Sequence, residues 1–110
     1  MRRASRISRS SSLLLFSQGT SFNPPDVTKR TSIYNGFIAP ADGWIKWDAT
    51  GRVHCYLNGV QVDGLELENA DRGEGGNGIF PVSKGDKFTV SVHYVNGDRF
   101  NGGYFMPCKK

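Results

Sequence analysis

The side chains best suited to catalysis in this 110-residue sequence are its two histidines, His54 and His93. Histidine is the usual general base near neutral pH, and it activates a serine when the two side chains lie close together. Both histidines fall within predicted strands, while the serines cluster near the start of the chain. We expect Asp63 to face His54 across a hairpin, which explains this pair as part of a polar sheet surface. We therefore expect no enzymatic activity.

An acidic, glycine-rich stretch over residues 65–78, "LELENADRGEGGNG", is the first candidate for a metal site. Carboxylates and backbone carbonyls are the ligands that Ca²⁺ takes. Their spacing here matches no calcium-binding loop, so we interpret the stretch as a flexible, solvated connection. Its glycines also lack the lysine and the following helix of a phosphate-binding loop.

Two cysteines, Cys55 and Cys108, complete the set of reactive side chains. Two thiols cannot close a four-ligand zinc site, and Cys55 falls at a position typical of a small buried apolar residue. Without a signal peptide, two cysteines favour a reducing compartment and no disulfide. The sequence predicts no metal and no cofactor.

The features that indicate binding lie instead in an N-terminal arm, residues 1–25. Residues 1–30 hold six basic residues against one acid, a net charge of +5, whereas the remaining eighty hold eight bases and nine acids. Because the body is close to neutral, a basic nucleic-acid-binding face on it is not expected. The arm residues predicted to contact a partner are Arg2, Arg3, Arg6, Arg9, Leu13, Leu14, Leu15 and Phe16.

Other interpretations of the arm stay open. A secretory signal needs an apolar stretch of seven or more residues, and here Leu13 to Phe16 supplies four. An organelle transit peptide agrees with the arginine and serine content, but Ser10 to Ser12 and Pro24-Pro25 interrupt an amphipathic helix. A disordered tail without a partner is the remaining alternative. The longest apolar run is far too short to span a membrane.

Alternating apolar and polar residues after Pro25 predict strands. In the strand from Gly43 to Asp48, Trp44 lies on one face with Lys46, and Ile45 and Trp47 lie on the other. We expect one tryptophan in the core and Trp44 at the surface or in an interface. Tyr34, Trp44 and Tyr104 are the candidate surface aromatics.

The strongest local pattern is "RVHCYLNGVQVDG", in which Asn58-Gly59 is the preferred two-residue hairpin loop. This turn predicts that Leu57 lies opposite Val60 and Cys55 opposite Val62. The predicted inward face is Val53, Cys55, Leu57, Val60 and Val62, and the predicted outward face is His54, Tyr56, Gln61 and Asp63.

Further predicted strands are Ile79 to Val82, at a sheet edge because of Pro81; Phe88 to Tyr94; and Tyr104 to Met106. About eight short strands with close turns and no long helix predict an all-β fold, a small antiparallel β-sandwich of the jelly-roll kind. We place the domain boundary between the arm, residues 1–25, and the sandwich, residues 26–110.

The segments "FIAPADGWIKW" and "VSKGDKFTVSV" resemble the strand pattern of small jelly rolls, over roughly residues 33–95. With its size and basic arm, the whole chain is similar to the small capsid decoration, or stapling, proteins of short-tailed phages, in particular those of the epsilon-group Salmonella phages. The resemblance implies a β-sandwich on the outer capsid surface, paired with another copy, with an arm that reaches over major capsid subunits. It implies no catalytic residues.

Two functional hypotheses follow. The first is a virion structural protein, made in the host cytoplasm, that staples neighbouring major capsid proteins and self-associates on the shell. The second is a receptor- or carbohydrate-binding jelly roll at the tip of a tail fibre, with Tyr34, Trp44 and Tyr104 as sugar platforms. Binding of the arm to nucleic acid is a third, less favoured possibility, which predicts a steep dependence on salt.

Overall fold

The computed structural model of the chain describes residues 22–95 and 97–110. The predicted arm contacts, Arg2 to Phe16, lie outside the described residues. The described strands are β1 (Thr31–Ser32), β2 (Phe37–Ile38), β3 (Gly43–Thr50), β4 (Arg52–Leu57), β5 (Val60–Glu66), β6 (Gly75–Val82), β7 (Lys87–Val92) and β8 (Arg99–Pro107), with single 3₁₀ turns at Val27–Lys29 and Ala70–Arg72. Neither turn, the only helical elements in the described part, is long or apolar enough to cross a membrane.

The eight strands form two antiparallel sheets that pack face to face. The first sheet has the order β1-β8-β3-β6, and the second has the order β2-β7-β4-β5. The chain changes sheet at every connection except the β4–β5 hairpin, which is jelly-roll connectivity. The predicted all-β sandwich is confirmed.

The core between the sheets follows the predicted alternation along β3. Ile45 and Trp47 point inward and are almost fully buried, while Trp44 is half-buried and Lys46 is exposed on the other face. The prediction of one core and one surface tryptophan is confirmed. The core residues contributed by both sheets are Ile33, Phe37, Ala39, Ile45, Trp47, Ala49, Val53, Cys55, Leu57, Phe80, Val82, Phe88 and Phe105.

The β4–β5 hairpin has the predicted turn but not the predicted register. Leu57 lies opposite Val60 as expected, yet a bulge at Val62 places Asp63, not Val62, opposite Cys55. Asp63 therefore points inward, where its Oδ2 accepts a hydrogen bond of 2.9 Å from the indole N–H of Trp47. A buried indole N–H without an acceptor is costly, and the bulge supplies that acceptor. Val60, predicted to face inward, is 66% exposed at the end of the hairpin.

Two segment boundaries also differ from prediction. The stretch over residues 65–78, expected to be a connection, contributes its first two residues to β5 and its last four to β6. The pairing of β6 with β3 at this point requires glycine at position 78, because a Cβ there would clash with Trp47 Nε1 at 2.7 Å. The prediction that Pro81 marks an edge strand is confirmed, since β6 is an edge of the first sheet. Tyr94 was wrongly placed in a strand, because β7 ends at Val92 and Tyr94 adopts a φ of 67°.

Candidate functional site

The outer face of the first sheet carries a row of apolar side chains. Trp44 on β3 lies directly opposite Pro81 on β6 and Met106 on β8, so the three side chains share the outward face. Met106 is nevertheless only 5% exposed and lies outside the main core cluster. A buried methionine on an outward face shows that other parts of the chain cover this end of the sheet.

Part of that cover is the root segment, residues 22–26, which consists of the last four residues of the predicted arm and the first residue of the predicted sandwich. The ring of Phe22 packs edge-on against Trp44, with 6.1 Å between the ring centroids. The indole Nε1 of Trp44 donates a hydrogen bond of 2.8 Å to the carbonyl oxygen of Asn23. Trp44 therefore stays at the surface but serves as an anchor for the root segment.

The root segment also pairs with the chain at the C-terminal end of β8. Pro25 forms an antiparallel bridge with Cys108, and the backbone N–H of Asp26 donates to the Pro107 carbonyl over 2.8 Å. The Lys109 N–H donates in turn to the Pro24 carbonyl over 2.8 Å. Pro24 and Pro25 are thus held against the end of the sheet.

Tyr104 lies two residues further along the same face, beside a groove. Its ring is 43% exposed, and the guanidinium of Arg30 lies over it, 5.0 Å from the centroid. An open groove of about 380 Å³ adjoins the ring. The groove is lined by Ser32, Ile33, Asp48, Asn101, Gly102, Gly103 and Tyr104.

The structure brings Trp44 and Tyr104 together on this face but separates Tyr34 from them. Tyr34 lies in the turn between β1 and β2, where it is 62% exposed and packs edge-on against Phe37, 5.6 Å between centroids. The three predicted surface aromatics therefore do not form one continuous platform.

The outer face of the second sheet carries polar pairs instead. His54 Nε2 contacts Glu66 Oε1, so the predicted pairing of His54 with Asp63 is wrong, because the bulge at Val62 turns Asp63 inward. The hydrogen bond from His54 lowers the pKa of the Glu66 carboxyl. His93 follows β7 rather than lying in it, and its Nδ1 is 3.5 Å from Asp98 Oδ2.

None of these groups assembles into a metal centre. Within residues 22–95 and 97–110, no three histidine, cysteine, aspartate or glutamate side chains come close enough together to hold a metal ion. Cys55 and Cys108 are both free thiols. Burial raises the pKa of the Cys55 thiol to about 12, so it is held as an unreactive thiol in the core.

Comparison of the chain with family models, with curated proteins and with solved structures finds no match in any of the three.

Sequence reasoning missed the root segment as a functional element. The signal that could have revealed it is Trp44 itself, because a large outward-facing indole needs both apolar cover and a hydrogen-bond acceptor. Local sequence patterns do not identify those partners, because Asn23 and Trp44 are 21 residues apart in the chain.

Proposed function

We propose that the protein is a capsid decoration protein, which binds the outside of a phage capsid and staples neighbouring major capsid subunits through its N-terminal arm. The observation that carries the proposal is the root segment. It fixes the point at which the arm leaves the sandwich, next to Trp44 on the outer face of the first sheet. An arm that leaves a rigid body at a fixed point is suited to linking that body to a neighbouring surface.

The charge distribution supports the same function. The four arginines before residue 21 account for the whole formal net charge of +4, and residues 22–110 are neutral overall. A cationic arm on a neutral sandwich favours attachment to acidic protein surfaces through arginine–carboxylate pairs. Leu13 to Phe16 would add an apolar anchor.

Stabilisation of the shell would follow from mass action. A protein that binds only the assembled lattice stabilises that lattice by its own binding free energy. In this mechanism the partner is the major capsid protein, the protein self-associates on the shell, and the location is the capsid surface after synthesis in the host cytoplasm.

A carbohydrate-binding tail-fibre tip is the alternative function, and the aromatic side chains offer it less support. A sugar stacks on a free ring face, but Arg30 already lies over Tyr104. The indole N–H of Trp44 is already donated to Asn23, and Tyr34 is on a different part of the surface.

The proposal is tested by co-sedimentation of the full chain with candidate capsids that lack it. The test variant lacks residues 1–20, and a second variant carries R2S, R3S, R6S and R9S. The matched control carries four glutamines in place of exposed basic residues of the sandwich, namely Arg72, Lys84, Lys87 and Lys110. We expect both arm variants to lose shell binding and the control to keep it.

Shell binding that survives removal of the arm would contradict the proposal. If the truncated chain instead retains binding to host glycans while no variant binds shells, the tail-fibre function is supported. The third possibility, binding of the arm to nucleic acid, is tested by direct titration with nucleic acid. Salt dependence alone does not identify it, because salt weakens arginine pairs with phosphate and with carboxylate alike.

A further inference from the structure

We propose that the free edge of β8, with the groove beside it, binds the N-terminal arm of a second copy of this chain as an added strand, with an arm arginine pairing with Asp48. The inference rests on the proposed function in that it takes residues 1–21 to be an attachment segment. It goes further by naming the surface that receives them.

The free edge exists because β1 is much shorter than β8. β1 pairs with β8 at Ser32↔Tyr104 and Thr31↔Phe105, and the Ile33 N–H then donates to the Gly103 carbonyl over 3.1 Å. Among the described residues, no strand pairs with residues 99–102 on this side. Unpaired backbone at a sheet edge is a template for strand addition.

This edge is held rigid from its other side. β3 pairs along the same part of β8, with Asp48 opposite Gly102 and Thr50 opposite Arg99. The side-chain amide of Asn101 also donates to the Thr50 hydroxyl over 2.9 Å. A bulge at Asn101 and a φ of 102° at Gly102 interrupt the extended conformation here. The strand is nevertheless held by β3 on its other side, so it loses little further entropy when a second chain binds to it.

The groove provides a site for a basic side chain. Its floor is bare backbone, because Gly102 and Gly103 have no side chains, and the exposed carboxylate of Asp48 lies on its wall. No basic side chain in the described part of the chain forms an ion pair with Asp48. The nearby Lys46 instead donates to Asn77 Oδ1 over 3.0 Å.

The arm has the complementary chemistry. Residues 1–21 contain four arginines and no acid. An arginine guanidinium pairs with a carboxylate through parallel charge-assisted hydrogen bonds. A fully extended segment of 21 residues spans up to about 70 Å. This exceeds 40 Å, the longest dimension of the folded body. The arm is therefore long enough to reach a neighbouring copy.

The direction of the root segment favours a second copy over the chain's own groove. From Asp26 back to Pro24, the partners advance from Pro107 to Lys109, so the chain runs toward the C-terminal end of β8 as it approaches the arm. The groove lies the other way, about seven residues back along the strand, or roughly 23 Å. The root segment thus leads away from the groove of its own chain.

The test uses the purified full chain and measures self-association by analytical ultracentrifugation. D48N removes the negative charge of the groove, and the variant with R2S, R3S, R6S and R9S removes the arm's charges. The control D71N removes an exposed carboxylate from the 3₁₀ turn at Ala70–Arg72. For D48N we expect roughly fivefold weaker self-association, because one partly exposed ion pair is lost. The arm variant should lose more, and D71N should self-associate as strongly as the wild type.

Mixing the two defective variants then shows which copy contributes what. With the arm variant isotopically labelled and D48N unlabelled, the unlabelled arm meets an intact groove, so the Gly102 and Gly103 amide signals of the labelled copy are expected to shift. Wild-type protein that does not self-associate, D48N that matches D71N, or a mixture without these shifts would overturn the inference. Groove shifts that depend on the arm but not on concentration would also overturn it, because they place each arm in its own groove.

The two proposals fail separately. Shell binding that persists in D48N without self-association overturns only this inference. Self-association that persists while no capsid binds the protein overturns only the proposed function.

Discussion

The outer faces of the two sheets present opposite surfaces, although both are built from alternating strands. The first sheet carries on its outer face a row of buried or half-buried apolar groups, centred on Trp44, that the root segment partly covers. The second sheet exposes polar residues that pair with one another, such as His54 with Glu66, and Arg52 with Glu68 at 3.7 Å. One face depends on another part of the chain for cover, and the other satisfies its own polar groups.

This difference indicates which face is suited to attachment. Polar side chains that are already paired gain little when a partner covers them, since each must lose water and an existing contact. Among residues 22–95 and 97–110, the first sheet offers backbone along β8 that no strand pairs with and a carboxylate at Asp48 without an ion-pair partner, so a partner there can form new hydrogen bonds. The comparison also makes distinct predictions for matched substitutions on the two sheets.

The largest expected effect comes from adding a methyl group to a glycine of each sheet. In the first sheet, a Cβ on Gly103 would overlap the backbone carbonyl of Lys46 and lie 2.8 Å from the Trp47 Cα. In the second, a Cβ on Gly64 would lie 3.0 Å from the His54 ring, which can shift, and 3.0 Å from the backbone carbonyl oxygen of Val53, a looser contact than the overlap at Gly103. We expect Gly103→Ala to lower the free energy of unfolding by about 3 kcal/mol and Gly64→Ala by at most about 1 kcal/mol, measured by urea denaturation.

Gly102→Ala is the control for backbone strain in this experiment. Gly102 has a φ of 102°, but a Cβ there meets nothing within 4 Å. It should lose only the smaller cost of a side chain in that conformation. Equal losses for Gly103→Ala and Gly64→Ala would contradict the close approach of β3 and β8.

A smaller effect is expected when the outward aromatic of each sheet is truncated. Trp44→Ala removes the ring that packs on Phe22 and the donor to Asn23, so we expect a loss of about 2 kcal/mol. Tyr56→Ala, on the outer face of the second sheet, should cost about 1 kcal/mol.

Amide hydrogen exchange separates local from global effects for this pair. In Trp44→Ala, the Asp26 and Lys109 amides, which bond across the root segment, should lose protection well before the rest of β8. Tyr56→Ala should leave them unchanged. Trp44→Phe keeps a ring but removes the N–H, and it should give an intermediate result. Unaltered protection in Trp44→Ala would show that the root segment is held without the indole.

Much of this architecture follows from local sequence patterns. The alternation from Gly43 to Asp48 predicted which tryptophan is buried, and Asn58-Gly59 predicted the hairpin turn, where φ is 52° and 83°. Both predictions depend on physics within a few residues: the two-residue period of a strand and the positive φ of a tight turn.

The parts that could not be predicted depend on contacts between distant segments. The bulge at Val62 brings Asp63 to the indole N–H of Trp47, on the other sheet, and the hairpin sequence does not contain that information. The same applies to the strand character of Gly75 to Gly78, whose pairing with β3 outweighs the low strand propensity of glycine. The root segment is a third case, because its partners lie at Trp44 and beyond residue 106.

The smallest expected effect compares one exposed carboxylate near each face. A hydrogen bond from the Thr28 hydroxyl to Asp26, at 2.6 Å, lowers the pKa of Asp26, and a hydrogen bond from His54 lowers the pKa of Glu66. Because both pKa values are lower in the folded chain, each contribution to stability is complete above the unfolded value, near pH 4. It is lost as the pH falls through the lower folded value.

The donors differ, and this makes the two sites separable in an NMR titration of the carboxyl carbons. Thr28→Val should raise the pKa of Asp26 toward its ordinary value without affecting Glu66, and His54→Gln should do the reverse. At 1 M salt, the pKa of Glu66 should rise more than that of Asp26, because the charge of Arg52 also lowers the pKa of Glu66, whereas the main cause at Asp26 is the neutral threonine hydroxyl. Equal sensitivity to salt would show that charge–charge attraction, and not the hydroxyl donor, controls Asp26 as well.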